Sequence, residues 1–165
     1  MRNKKGFTLI ELLVVLSIMG IILAVAATAL GKAKYNWNLR GEANQFIMTV
    51  YKARGLAMKE EKLVRIHFDN ASNPRSYEIQ KKESTGFVPV PKTTHSLADQ
   101  AIISLNPATD IIFFPDGRMV IQQGANNYIL SFIEIRVAQK TIPNHYIRII
   151  LYPLGGIETT RHFVK

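Results

Sequence analysis

With 165 residues, the chain has room for one globular domain beside a long helix. It contains no cysteine, which excludes a disulfide framework and a thiolate metal site. The net charge of +9 suggests nucleic acid only until it is mapped: residues 1–6 carry +3, residues 7–59 carry +4 and residues 60–165 only +2. The basic excess follows membrane topology and does not mark a basic head.

The N-terminus comes first. Arg2, Lys4 and Lys5 precede Gly6, and residues 7–30 then form an apolar run whose only charge is Glu11. About 24 residues at ~1.5 Å rise span ~36 Å, enough for a ~30 Å hydrocarbon core. The Leu, Ile, Val and Phe side chains contribute roughly −4 to −8 kcal/mol to insertion, against at most about +3 for Glu11. Insertion wins despite the acid. A cleaved signal peptide competes, since Ala24-Val25-Ala26 could pass for its cutting site, but Glu11 would interrupt an apolar centre that is already too long. A plain membrane anchor explains the apolar run and leaves the glycine-to-glutamate spacing unexplained. Arg2, Lys4 and Lys5 favour a cytoplasmic N-terminus, a bias that Lys32, Lys34 and Arg40 partly cancel.

Beyond the span the helix continues. Tyr35 and Trp37 fall where aromatic side chains favour the membrane–water interface. Leu39, Ala43, Phe46, Val50, Ala53 and Ala57 repeat at spacings of four and three and form one apolar stripe. Arg40, Glu42, Gln45, Lys52 and Lys59 supply polar positions around it. The helix is expected to reach about residue 59, on the order of 80 Å in all.

The rest reads as strands. Residues 63–68 alternate, and 76–82, 102–105, 111–114, 119–122, 128–137, 146–152 and 157–164 are further strand segments. Residues 80–100 are polar, interrupted by Pro89 and Pro91, and read mostly as loop. Asp116-Gly117 and Asn126-Asn127 have the residues of tight hairpins, and residues 153–156 mark another turn. Short connections predict antiparallel pairing and an α+β fold, a long helix packed on an antiparallel β-sheet head.

The string Gly6-Phe7-Thr8-Leu9-Ile10-Glu11 resembles the processing site of type IV prepilins and type II secretion pseudopilins. The resemblance implies a leader of residues 1–6, cleavage between Gly6 and Phe7 by a prepilin peptidase, and N-methylation of Phe7 by the same enzyme. It implies a transmembrane helix over residues 7–30, an extracytoplasmic continuation over 31–59 and a β-rich head over 60–165. Glu11 takes the motif's acidic position, where pairing with the free amino group of a neighbouring subunit's Phe7 would set filament register. Many major pilins carry a helix-kinking proline; this chain has none before Pro74, leaving Gly20 and Gly31 as weak points.

Ile112-Phe113-Phe114-Pro115-Asp116-Gly117-Arg118 and the strand–glycine–strand ending at Gly155-Gly156 are similar to the H-type minor pseudopilins, the GspH/FimT domain family. Asp116 and Gly117 are expected to shape a turn, which a plain hairpin also explains; Arg118 reads as an interface residue or a solvated charge. The implied function is a minor pseudopilin of the periplasmic pseudopilus of a type II secretion system, which helps export folded proteins. The alternative is a minor type IV pilin acting in pilus assembly or DNA uptake. Partners would be the prepilin peptidase and N-methyltransferase, other major and minor pseudopilins, the inner-membrane assembly platform and membrane lipid. The setting would be the inner membrane of a Gram-negative-type envelope, crossed once, with the head in the periplasm.

Neither catalysis nor DNA finds support in the residues. His67, His95, His145 and His162 are scattered and have no zinc-ligand spacing, and no Gly-x-Ser-x-Gly, P-loop or dinucleotide fingerprint occurs. No catalytic, metal or cofactor residue is assigned. Lys140, Arg148, Arg161, His162 and Lys165 are the residues that DNA phosphates would use. Related DNA-binding tails place basic residues just after the glycine, where this chain has Gly156-Ile157-Glu158, so DNA is disfavoured as a partner.

Overall fold

The computed structural model is described for residues 8–98, 101–122, 128–129 and 131–162. Two compact units make up the chain, Met1–Asn38 and Leu39–Lys165. A single helix, α1 (Leu9–Glu60), belongs to both. It runs unbroken through Gly20 and Gly31, because neither a proline nor a second glycine beside them weakens the hydrogen-bond ladder. In the first unit, Leu9–Ala27 has a mean hydropathy of 2.8 and none of it is buried, so the segment is long and apolar enough to cross a membrane.

In the second unit the helix buries the expected stripe. Leu39, Ala43, Phe46, Val50, Ala53 and Ala57 all lie inside. The three alanines leave room for the sheets to approach, and Phe46 fills the centre against Tyr77 (5.3 Å, edge-on) and Phe68 (6.2 Å). Truncating a phenylalanine so enclosed costs about 3–5 kcal/mol. The helix stops where Glu61 turns left-handed (φ 54°).

The head holds two antiparallel sheets where one was expected. The first runs β3 (Gly86–Pro89), β2 (Ser76–Glu83), β1 (Val64–Phe68), β6 (Ile111–Phe113), β7 (Met119–Gln122) and β8 (Tyr128–Ile129), with β4 (His95–Ser96) also paired to β2. The second runs β11 (Ile157–His162), β10 (Ile142–Leu151), β9 (Ile133–Gln139) and β5 (Ala101–Asn106). Alternation places Val64, Ile66 and Phe68 of the first sheet and Ile133, Ile135 and Val137 of the second in the core.

Three readings are corrected. Residues 128–137 are two strands in different sheets, β8 and β9, because the chain must cross from one sheet to the other between them. Residues 80–100 contain the end of β2 and also β3 and β4: Pro89 is tolerated at the end of β3, a strand at the edge of its sheet, where a missing donor breaks no ladder bond. The single sheet becomes two because β5 leaves to pair with the later β9, while β6 returns beside β1. The turn expected at Asn126-Asn127 lies outside the described residues, as does Val164.

Candidate functional site

The first candidate is the start of α1. The Glu11 carboxylate oxygen Oε2 accepts the backbone N–H of Thr8 (2.8 Å) and the Thr8 hydroxyl (3.0 Å), while the Glu11 N–H donates to Thr8 Oγ1 (3.3 Å). The Leu12 N–H donates to the Thr8 carbonyl at 3.3 Å, opening the helix. This is a reciprocal capping box at the positive end of the helix dipole, which lowers the cost of a carboxylate in an apolar segment. Thr-x-x-Glu ahead of an apolar run is a visible sequence signal for it. Motif spacing alone gives Thr8 no role, and the capping bonds supply one. Among the described residues no hydrogen bond falls on Oε1, which leaves an acceptor for an amine. Gly6 and Phe7 lie outside the described residues.

The second candidate is the face of α1 turned away from the core. Met48, Tyr51, Gly55 and Met58 follow at spacings of three, four and three, and the three side chains are 66, 53 and 52 % exposed. Nothing lies within 4 Å of where a Cβ on Gly55 would stand. An exposed helix-interior glycine costs about 1 kcal/mol relative to alanine, and among the described residues no contact offsets it.

At the edge of that face, Arg54 lies against two turns. The first turn carries Phe114 to Arg118: the Gly117 N–H donates to Phe114 O (2.9 Å), the Phe114 N–H to Arg118 O (2.9 Å), and Gly117 takes φ 81°. Asp116 accepts the Arg118 N–H (3.0 Å) and its Nε–H (2.5 Å). The Arg118 backbone bond first, and then its side chain, hold the Asp116 carboxyl below its ordinary range. Arg118 is thereby turned back on its own loop, half exposed. In the second turn Gly155 (φ 89°) donates to Tyr152 O (2.8 Å), and the Met119 N–H reaches Pro153 O (2.7 Å) to tie the sheets together. Arg54 donates from Nη1 to Gly155 O and from Nη2 to Leu154 O, both at 3.3 Å. A Cβ on Gly155 would run into that guanidinium, and one on Gly117 would stand 3.2 Å from both Arg54 Nε and Met58 Sδ. Leu154, at the tip, is 80 % exposed. The two segments singled out in the sequence thus meet on one arginine that had not been singled out. A lone arginine beside an apolar stripe carries no signal for such a contact.

The histidines are apart. His67 Nδ1 lies 2.9 Å from Asp110 Oδ2, His95 Nε2 lies 2.9 Å from Glu42 Oε2, and His162 stacks on Tyr146 at 4.8 Å. Among the described residues no group of three His, Cys, Asp or Glu could hold a metal. Of the residues considered for DNA, Arg148 is paired with Glu134 (3.0 Å), Arg161 is exposed on β11, and Lys165 lies outside the described residues. Glu158 accepts the Tyr152 hydroxyl at 2.9 Å, which keeps an acid beside the Gly155-Gly156 turn.

Comparison with known proteins agrees with this geometry. The prokaryotic N-terminal methylation motif family matches residues 1–27. Comparison of the sequence with curated proteins finds no match. The fold resembles the minor pseudopilin EpsH from the type 2 secretion system of Vibrio cholerae (TM-score 0.58, 10% identity), over 75% of this chain and 97% of that one. It equally resembles Escherichia coli GspH (TM-score 0.58, 15% identity), over 77% and 90%. The type IV minor pilin FimU of Pseudomonas aeruginosa matches at TM-score 0.58 and 13% identity, over 74% and 92%. The chain is thus type IV pilin-like, joining a prokaryotic N-terminal methylation motif to the α+β fold of the GspH-like minor pseudopilins and minor pilins.

Proposed function

We propose that this chain is a minor pseudopilin, a non-enzymatic structural subunit of the periplasmic pseudopilus of a type II secretion system that helps export folded proteins. The observation that carries the reading is the wholly unburied Leu9–Ala27 span on a chain whose head already encloses its own core. Such a helix needs lipid first and other subunits afterwards. The methylation motif and the likeness to EpsH and GspH support the same reading.

In this reading residues 1–6 are a leader removed after Gly6, and Phe7 becomes the methylated N-terminus. Residues 7–30 cross the inner membrane once, with the N-terminus cytoplasmic. Residues 31–59 continue the helix into the periplasm and residues 60–165 form the head. Glu11 keeps its cap on Thr8 and offers Oε1 to the amine of a neighbouring Phe7. The Met48–Tyr51–Met58 face and Leu154 meet other pseudopilins, and Asp116 and Gly117 hold their turn in shape for that contact. The likeness to FimU favours a second reading, a minor type IV pilin. Deleting the chain in its own cell separates them. Folded exoproteins retained in the periplasm, with piliation and DNA uptake intact, support secretion. Lost pili or DNA uptake with normal export supports the pilus.

A further inference from the structure

The exposed face of α1 in the second unit has a seven-residue repeat. Gly41, Met48 and Gly55 follow one another at seven, and so do Asn44, Tyr51 and Met58. The two rows interleave at spacings of three and four and form one seam, turned away from the buried stripe. All six residues are exposed. Among the described residues, nothing outside the local helix lies within 4 Å of a Cβ placed on Gly41 or Gly55. A repeat of seven keeps one line of contact against a second helix, here over about 21 Å from Gly41 to Gly55 at ~1.5 Å per residue. The glycines are gaps for a neighbour's large side chains, and Met48, Tyr51 and Met58 are large side chains to enter the neighbour's gaps.

The flanks of the seam are basic. Lys52 and Lys59 each follow a seam residue by one position, and Arg40 and Arg54 each precede a seam glycine by one, so cations stand on both sides of it. Arg40, Lys52 and Lys59 are exposed and have no ion pair or hydrogen bond among the described residues. Arg54 donates only to the carbonyls of Leu154 and Gly155, which leaves its charge uncompensated. The acids of this part of the helix are engaged elsewhere: Glu42 holds His95 at 2.9 Å and Glu60 holds Lys81 at 3.0 Å. A second copy laid along the seam would bring cations against cations, and like charges brought together at an interface oppose association.

We propose that this seam docks an α-helix of a different subunit, one with large apolar side chains at spacings of three and four and Asp or Glu on its flanks. Its basic flanks select that partner and exclude a second copy of this chain. The proposal rests on the subunit reading above and names the chemistry of the partner at this face. Asn44, the polar member of the seam, fixes the register of the pair, because an amide among apolar contacts tolerates only a hydrogen-bonding group opposite.

The probe is a fluorescein-labelled synthetic helix of about three heptads, with leucine at spacings of three and four and glutamate on both flanks. It is titrated with the full chain in phosphatidylcholine nanodiscs and read by anisotropy, with empty nanodiscs as the blank. Saturable binding is expected, at least tenfold tighter than for the same helix with lysine flanks and weakened by salt. Gly55→Leu fills a gap without meeting another part of its own chain, so its melting temperature should hold or rise while binding falls at least tenfold. Lys52→Glu combined with Lys59→Glu should reverse the preference between the two probes. Arg161→Glu reverses a charge on β11, away from the seam, and should leave the affinity unchanged. No saturable binding, equal affinity for both probes, or binding unmoved by Gly55→Leu overturns the proposal. So does self-association of the full chain that Gly55→Leu abolishes, since that assigns the face to a second copy. Deletion of the chain tests the subunit reading by phenotype, while probe binding depends on this face alone, so either can fail without the other.

Discussion

Gly155→Ala tests the junction that joins helix and sheets. At φ 89° an alanine pays the left-handed penalty, roughly 1–2 kcal/mol. Its Cβ also meets the Arg54 guanidinium, which must leave the Leu154 and Gly155 carbonyls. Those bonds are long and one is exposed, so their joint loss adds about 1–2 kcal/mol. The total of roughly 2–4 kcal/mol corresponds to a fall in melting temperature on the order of 10 °C for a head of this size. Gly156→Ala is the control. Gly156 does not have positive φ, and its nearest side-chain atom, Tyr152 Cδ2, stands 3.5 Å from the new Cβ. It should move stability by less than about 1 kcal/mol. Near-UV circular dichroism melts of the full chain in detergent report both. In the Arg54→Ala background the Gly155→Ala penalty should shrink to its backbone part, because the obstructing guanidinium is gone. Equal melting temperatures for the two alanine variants, or full additivity with Arg54→Ala, would refute the reasoning.

Three further outcomes are expected at other sites. Mass spectrometry of the membrane-extracted chain should find an N-methylated Phe7 terminus, and Gly6→Leu should leave the leader attached; an intact Met1 or an end near Ala27 in the wild type rejects the processing assignment. Glu11→Val should preserve insertion and head stability and weaken co-assembly with other subunits, whereas Thr8→Ala removes the two hydroxyl bonds of the cap, costs about 0.5–2 kcal/mol at the helix end and leaves co-assembly intact. Equal assembly defects in the two would make the cap, and not the charge, the active element. Glu134 is held below the ordinary carboxylate range by its bond to Arg136 first, with Arg148 adding to it. A depressed acid stabilises the fold fully above its unfolded value of about 4.3 and loses that contribution as pH falls through the folded value. Glu134→Gln should therefore be less stable than wild type at pH 7 and decline less on acidification, measured by melting temperature between pH 7 and pH 3; parallel curves would remove the linkage.

The helix was legible because its signals are local. Apolar residues at spacings of three and four are enough to predict the buried stripe from Leu39 to Ala57, and all six positions are buried. The alternation of residues 63–68 likewise predicts which side chains of β1 face inward, since a strand's period is fixed by its backbone. Pairing is a different matter. β5 and β9 are separated by three intervening strands, and nothing in either segment distinguishes one apolar partner from another, so the second sheet stayed hidden. The strand over 128–137 shows the same limit. Its continuous hydrophobicity hid a change of sheet, which depends on where the chain must next find a partner.

The candidate sites divide along the same line. Thr8 and Glu11 are three residues apart, and their capping box follows from helix-start chemistry. Arg54 lies 101 residues from Gly155, and only the packed fold joins them. The two glycine turns nevertheless announced themselves, because backbone at φ 81° and 89° narrows the choice of residue whatever lies opposite. Lys92 makes the converse case. Pro91-Lys92-Thr93-Thr94 reads as ordinary loop, and a lysine there predicts no left-handed turn. Its conformation is imposed by Thr93, whose hydroxyl holds the backbone of β2 fourteen residues away. A residue held against its local preference is explained only when its surroundings are known, and here they are the bonds of Thr93 to Ile79 and Val90.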